Sequence, residues 1–405
     1  MTFGRFDYAA FVAFFAYAAG SVVLPVVLVT LARELGFPLA EGGMTAGGGL
    51  QLGRTAAIVA AMLGCGFAAG RWGKRRVFGW AVLCMGLGMG LCALAPSYGV
   101  LFLALVVAGS GEGVVEGLAT PFVENLHRDE PGRYINFTHA FWSVGVFATV
   151  LAAGALLTLG VSWRLITAGV ALLTLVPATL LLTVFPGASV YPEHPEPLHW
   201  THVRDQALEI MARPRFWLFF AAMFVAGGGE FCLTFWSASH IQLHFGAAAW
   251  AGGGGTACFA AGMMVGRTGW GYLIRQHQLR RLLLGSGAIG ALVTLFLPVA
   301  DSLVLFFALL FVAGLATAPF WPSIQSHCVD RLEGTDTTML FVLLSCAGVP
   351  GCGFFTWVMG VLADHGPGLG AAFWLVPGCF LVLTLLIALD RNGRPRDGTG
   401  GPALG

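Results

Sequence analysis

Arg54, Glu112, Glu116, His139 and Glu230 are ionisable side chains that stand inside long apolar stretches of this 405-residue chain. A charge placed there costs at least about 2.5–3.5 kcal/mol on insertion scales, so such residues are retained for a pathway, a relay or a partner. Glu112 and Glu116 are four residues apart and share one face of a helix, a turn from each other. Two enclosed carboxylates so close resist ionising together, which leaves one able to take up and release a proton near neutral pH. Glu116 is the candidate proton carrier; Glu112 either shares that task or serves as the ion-pair partner of Arg54. Glu230 follows Gly227-Gly228-Gly229, where glycines can open a helix and expose carbonyls to a cavity. It binds a solute hydroxyl or a cation, or is neutralised by a neighbouring helix. His139, beside Phe141 and Trp142, is either a neutral imidazole bonded to a backbone carbonyl or a contact for solute or proton. Glu124 and Arg267 lie nearer the ends of their apolar stretches.

Composition sets the elements that carry these residues. Hydrophobic residues make up 57% of the chain, charged ones 10%, and the mean hydropathy is +0.81, more apolar surface than a soluble core absorbs. Runs of about 20 apolar residues span hydrocarbon as helices. Between polar or turn-rich breaks the sequence predicts roughly twelve, at 9–31, 44–69, 77–95, 99–124, 134–158, 163–185, 215–243, 248–270, 281–300, 303–328, 337–363 and 370–389. The expected fold class is an all-α integral membrane protein. Nothing alternates in the manner of a membrane β-barrel, and Met1 to Asp7 leads into the first run without a cleavage-site pattern.

Two short patterns recur. Gly66-x-x-x-Gly70-Arg71-x-Gly73 returns as Gly262-x-x-x-Gly266-Arg267-x-Gly269, and Gly117-Leu118-Ala119-Thr120 as Gly314-Leu315-Ala316-Thr317, at offsets of 196 and 197. Two homologous six-helix halves explain this, the internal-repeat construction of many secondary transporters, with a site between the halves near the bilayer midplane. The expected units are an N-terminal half, 1–185; a Pro- and His-rich cytoplasmic linker, 186–214; a C-terminal half, 215–391; and a disordered cytoplasmic tail, 392–405. The repeat partners of Glu112 and Glu116 are Leu309 and Ala313, so the fold itself does without a carboxylate there.

Basic residues orient the spans, because short positive loops stay cytoplasmic. Arg71, Lys74, Arg75 and Arg76 follow span 2, Arg128 and Arg133 span 4, and Arg275, Arg280 and Arg281 span 8. Arg204, Arg213 and Arg215 lie between spans 6 and 7, Arg331 follows span 10, and Arg391, Arg394 and Arg396 follow span 12, while the other face has Arg33 and Arg164. Both termini are thereby placed in the cytoplasm, and the net charge of +1 calls for no nucleic-acid partner. Arg71 and Arg267, related by the repeat, are either gate residues, with Glu124 and Asp330 as available partners, or purely topological.

Other chemistry is excluded. His194, His199 and His202 with Glu193 and Glu196 fit no standard metal spacing, and prolines intervene, so the segment reads as a solvated loop. The nine cysteines sit in or at the ends of apolar spans with no C-x-x-C pair and act as small hydrophobes. Gly285-x-Gly287-x-x-Gly290 has no preceding strand and reads as helix packing. Asn136-Phe137-Thr138, a glycosylation pattern, falls on the cytoplasmic side. No zinc-protease, nucleophile-elbow or phosphate-loop pattern occurs; no cofactor, no metal and no enzymatic activity are expected.

Several longer blocks carry a resemblance. GFAAGRWGKRR (Gly66 to Arg76) and Ser162-Trp163-Arg164 are similar to signatures of the major facilitator superfamily. GEGVVEGLATPFVENL (Gly111 to Leu126), NFTHAFWSVGVF (Asn136 to Phe147), VGRTGWGYLIR (Val265 to Arg275), FWPSIQS (Phe320 to Ser326) and GVLADHG (Gly360 to Gly366) resemble its fucose, galactose and glucose proton-symporter branch. The resemblance implies alternating access, a central sugar site, proton coupling through Glu116 and a monomer in a bacterial inner membrane. Trp142, Trp236, Trp321, Gln51 and Gln325 are of the types that stack on and hydrogen-bond a pyranose, and are equally ordinary interior residues. Two departures stand out. The branch's acidic residue in span 1 is Ser21 here, ahead of Val22-Val23-Leu24-Pro25, and its span-5 amide is Trp142. Solute identity, proton against sodium, and direction stay open. The expected function is proton-coupled symport of a small hydroxylated solute, the solute and the bilayer being the only partners. Proton-driven efflux of an amphipathic compound and a transport-dead sensor are the alternatives.

Overall fold

A computed structural model describes residues 2–127, 129, 131–183, 190–193 and 200–390. Each apolar run closes its own backbone hydrogen bonds as a helix, which hydrocarbon requires of any segment outside a closed barrel. The helices are α1 (Arg5–Glu34), α2 (Met44–Trp72), α3 (Lys74–Leu94), α4 (Tyr98–Leu126), α5 (Pro131–Thr158) and α6 (Trp163–Leu182), then α7 (Pro214–His244), α8 (Ala249–Leu273), α9 (Gln276–Val299), α10 (Leu303–Arg331), α11 (Thr337–His365) and α12 (Leu369–Leu389). Among the described residues eleven spans are long and apolar enough to cross a bilayer; the glycine-rich α8 completes the twelve. Where the helices outrun the sequence expectation they do so at their ends, because polar and charged residues at a helix end extend it beyond the apolar stretch.

Proline marks several irregularities. α10 is interrupted at Ala318 and Pro319 and resumes as Phe320–Arg331, since proline cannot donate to the preceding turn. Pro121 inside α4 leaves the Gly117 carbonyl without its helical donor. The expected opening of α7 at Gly227-Gly228-Gly229 does not occur: the helix is continuous from Pro214 to His244. Those glycines are instead a packing surface. A Cβ on Gly227 would lie 2.4 Å from the Gly348 carbonyl oxygen, and one on Gly229 2.4 Å from the Phe380 ring, so α11 and α12 press directly on the α7 backbone.

The internal repeat is visible in the packing. α1 packs on α5, α2 on α4 and α3 on α6; in the second half α7 packs on α11, α8 on α10 and α9 on α12. The halves meet along α2 with α11 and along α5 with α8, a matched pair of contacts, with α1 against α7 between them.

The bundle has a terminal end, where α1 starts and α12 finishes, and a far end opposite. Hydrogen bonds tie the halves together at the far end: Gln242 Nε2 donates to the Val26 carbonyl at 3.3 Å, and Trp250 N–H to Thr158 Oγ1 at 2.8 Å. Glycines bring the backbones together in the same region, where a Cβ on Gly253 would lie 2.2 Å from the Val150 carbonyl and one on Gly360 2.4 Å from that of Met44.

Part of the linker folds back on the N-terminal half. Tyr191 stacks on Phe122 at 4.4 Å and donates to its carbonyl at 3.0 Å, while the Glu193 carboxylate accepts from Lys74 and Arg75 N–H at 2.9 and 3.1 Å and so caps α3. A further linker helix covers Trp200–Met211. His194, Glu196, His199, the side chains of His202 and Asn136, and the 392–405 tail lie outside the described residues.

Candidate functional site

Glycines position the first charged pair. Cβ atoms on Gly109 and Gly113 of α4 would sit 2.6 and 2.1 Å from the Arg54 and Ile58 carbonyl oxygens of α2, so the two backbones touch and the side chains beside them are forced to meet. Arg54 Nε and Nη2 donate to Glu112 Oε2 and Oε1 at 2.8 and 2.5 Å, and Nη2 reaches Ser21 Oγ at 3.4 Å. The pair is 2% and 0% exposed. Two parallel charge-assisted bonds fix Arg54 to Glu112, and Ser21, uncharged, accepts only from the remaining edge of the guanidinium. Glu112 is therefore the ion-pair partner that Arg54 needs, locking α1, α2 and α4 together.

Glu116, one turn further along α4, has no ion-pair or hydrogen-bond partner among the described residues. It is surrounded by protein yet only half-buried to solvent, the signature of a side chain facing an internal space. Tyr17 lies within Coulombic range of both carboxylates, and its ring is 4.4 Å from that of Trp142. His139, also enclosed yet accessible, faces a hydroxyl rather than a backbone carbonyl: its Nε2 lies 3.2 Å from Thr120 Oγ1, with Phe14 edge-on at 4.7 Å.

The C-terminal half contributes a second, looser pair. Glu230 Oε1 and Arg267 Nη2 are 3.8 Å apart, beyond hydrogen-bond length. Glu230 Oε2 and Arg267 Nε are both buried without a partner. The Trp321 indole, directly after the break in α10, neighbours Glu230, and Arg267 lies within Coulombic range of His139 across the gap between the halves. Gln325 donates to Ser345 Oγ at 3.4 Å.

Glu116 and His139 of one half are thus reached by solvent, and Arg267, beside Glu230 in the other half, lies within Coulombic range of His139, while the far end of the seam is closed by the contacts given above. The major facilitator superfamily model matches residues 9–267. The chain belongs to that superfamily. It is accordingly a membrane transporter and not an enzyme. No curated protein matches the sequence. Among solved structures it is similar to a bacterial homologue of the human lysosomal transporter Spinster (17% identity, TM-score 0.71, covering 95% of this chain and 94% of the other). It is also similar to the nucleoside transporter NupG (14%, 0.74, 95% and 98%) and to the E. coli fucose:proton symporter FucP (16%, 0.64, 95% and 98%). At such identities these likenesses establish the major facilitator fold and nothing finer.

Within that fold several expected site residues fall elsewhere. Trp236 is fully enclosed, its Nε1 donates to the Thr356 carbonyl at 3.0 Å, and its ring packs over Gly47 of the other half; it is a packing residue at the far-end seam, with no face left for a solute. Gln51 is buried in α2 one turn before Arg54. Arg267 does not pair with Glu124 or Asp330 but turns inward to Glu230. Its repeat partner Arg71 is exposed, its guanidinium over the neighbouring Trp72. Glu124 is exposed too, and Asp330 accepts from Gln276. Sequence reasoning missed Tyr17, for which an aromatic in an apolar run gives no signal. It also missed two buried clusters at the terminal end, Asp7 with His127 (2.6 Å) and Asp390 with His327, Arg331 and Arg215, because these carboxylates lie at span ends and look solvated.

Proposed function

We propose that the protein is a proton-coupled symporter of a neutral, hydroxylated solute of sugar or nucleoside size, held between the halves. The observation that carries this reading is Glu116: an enclosed carboxylate, reached by solvent, with its neighbour Glu112 already neutralised by Arg54. Such a group binds and releases a proton without disturbing the fold. The loose Glu230 and Arg267 pair keeps one buried acceptor and one buried donor unsatisfied, and a rotation of these side chains toward the space between the halves would present them to adjacent hydroxyls on an uncharged solute. Trp321 and Trp142 supply apolar faces on which a ring can stack. The likeness to a fucose:proton symporter and a nucleoside transporter is in keeping with such a solute, and the sequence blocks favour the sugar branch.

With both termini in the cytoplasm, as the basic loops favour, the far end is extracellular and the described state is open to the inside. In the proposed cycle Glu116 takes a proton from outside, the solute binds, the halves rock, and deprotonation toward the cytoplasm releases both. A ligand drives this only through its different affinities for the two states. Counterflow into proteoliposomes with labelled hexoses, deoxyhexoses, N-acetylhexosamines and nucleosides tests the solute class. Exchange of at least one supports the reading, and exchange of none, with export of an amphipathic dye instead, replaces it by efflux.

A further inference from the structure

The start of α2 has no cap of its own. Gly43 precedes Met44 and has no side chain to accept from the first amides of the helix, which every helix must satisfy from outside. The acceptor comes from the other half of the molecule. Asp364, in the last turn of α11, receives Met44 N–H on Oδ1 at 3.1 Å and Thr45 N–H on Oδ2 at 2.7 Å. A half-buried carboxylate therefore sits on the positive end of a helix dipole belonging to the opposite half.

We infer that Asp364 is a far-end latch, a positioning residue whose bonds to the α2 N-terminus favour the state closed at that end and must break each time it opens. This rests on the alternating-access reading above. The other hydrogen bonds across the seam, Gln242 to Val26 and Trp250 to Thr158, are between neutral groups, so the charge-assisted contact is the one with most to lose on separation. Its neighbours fit the role: Gly360, one turn before Asp364, leaves no room for a Cβ against the Met44 carbonyl, so the carboxylate is presented to the helix end at contact distance. A lost helix cap changes an equilibrium by a factor of about two to thirty, enough to redistribute two nearly balanced conformers.

The test is a spin-label distance measurement across the far end of the full-length protein. Labels go on Ser97→Cys and Asp301→Cys, both exposed, with the partly accessible Cys84, Cys258 and Cys346 replaced by alanine. The expected result is that Asp364→Ala raises the ratio of long to short separations by roughly threefold or more. Asp364→Asn, which keeps the shape and one acceptor oxygen, should give a smaller rise and decides the matter if the alanine variant fails to fold. An unchanged ratio in a variant that folds, with both separations present in the parent, removes the latch and leaves alternating access standing. A parent that shows a single separation at every solute and pH condition removes both.

Discussion

Glu112 and Glu116 stand one turn apart on α4, yet Arg54 binds only the first. The bidentate bonds at 2.8 and 2.5 Å use both oxygens of Glu112 and leave Glu116 facing the space between the halves. The division follows from close packing: Gly109 and Gly113 hold α4 against α2 at the level of Arg54, and the next turn lies beyond the guanidinium's reach. One carboxylate thereby holds helices together while the other is free for chemistry.

The buried pair should behave as a unit. Arg54→Ala or Glu112→Ala leaves an uncompensated charge and is expected to cost about 3–5 kcal/mol, seen as a large drop in the melting temperature of purified protein. The double variant Arg54→Met with Glu112→Leu should recover most of that loss. A double variant as unstable as the singles would contradict this account of the pair.

Glu230 and Arg267 should answer differently. At 3.8 Å they contribute little to the fold, so Glu230→Gln is expected to leave the melting temperature nearly unchanged. It should weaken solute binding about tenfold, the cost of a hydrogen bond to a charged group, read as the half-saturation constant in counterflow. Unaltered solute affinity would take Glu230 out of the binding site.

Among the tryptophans the same measurements should separate roles. Trp142→Ala is expected to raise the half-saturation constant by removing a stacking face. Trp236→Ala, which empties a fully enclosed site, should cost about 3–5 kcal/mol of stability and leave the affinity of the surviving folded protein nearly unchanged.

The linker makes a pH prediction. Burial pushes the Tyr191 hydroxyl well above its ordinary value, so the folded protein holds this proton more tightly than the unfolded chain. The associated stability is complete below about pH 10, the unfolded value, and fades as pH rises beyond it. Tyr191→Phe should lower stability by about 1 kcal/mol at pH 7 and flatten the alkaline decline. Thermal melts of both proteins from pH 7 to 11 check the sign.

Much of this architecture was legible in the sequence. Hydropathy found each span, because nothing but a helix satisfies the backbone there, and the spacing of Glu112 and Glu116 put them on one face. What the spacing could not show was which of them Arg54 would choose, since that depends on glycine contacts between α2 and α4. The triple glycine before Glu230 has a composition equally suited to an opened helix and to a packing surface; only the partners Gly348 and Phe380 decide it. Trp236 and Trp142 are indistinguishable as residue types, and burial alone separates them. Asp364 was not singled out by the sequence, because its partners are backbone amides some 320 residues away, and backbone donors leave no mark in a sequence.

The most direct test of Glu116 as the proton carrier compares wild type with Glu116→Gln in proteoliposomes, using a solute that exchanges in counterflow. The account predicts equal exchange in both proteins and accumulation driven by an imposed proton gradient, growing as the external pH falls, in wild type alone. Gradient-driven accumulation by Glu116→Gln at the wild-type level would contradict it.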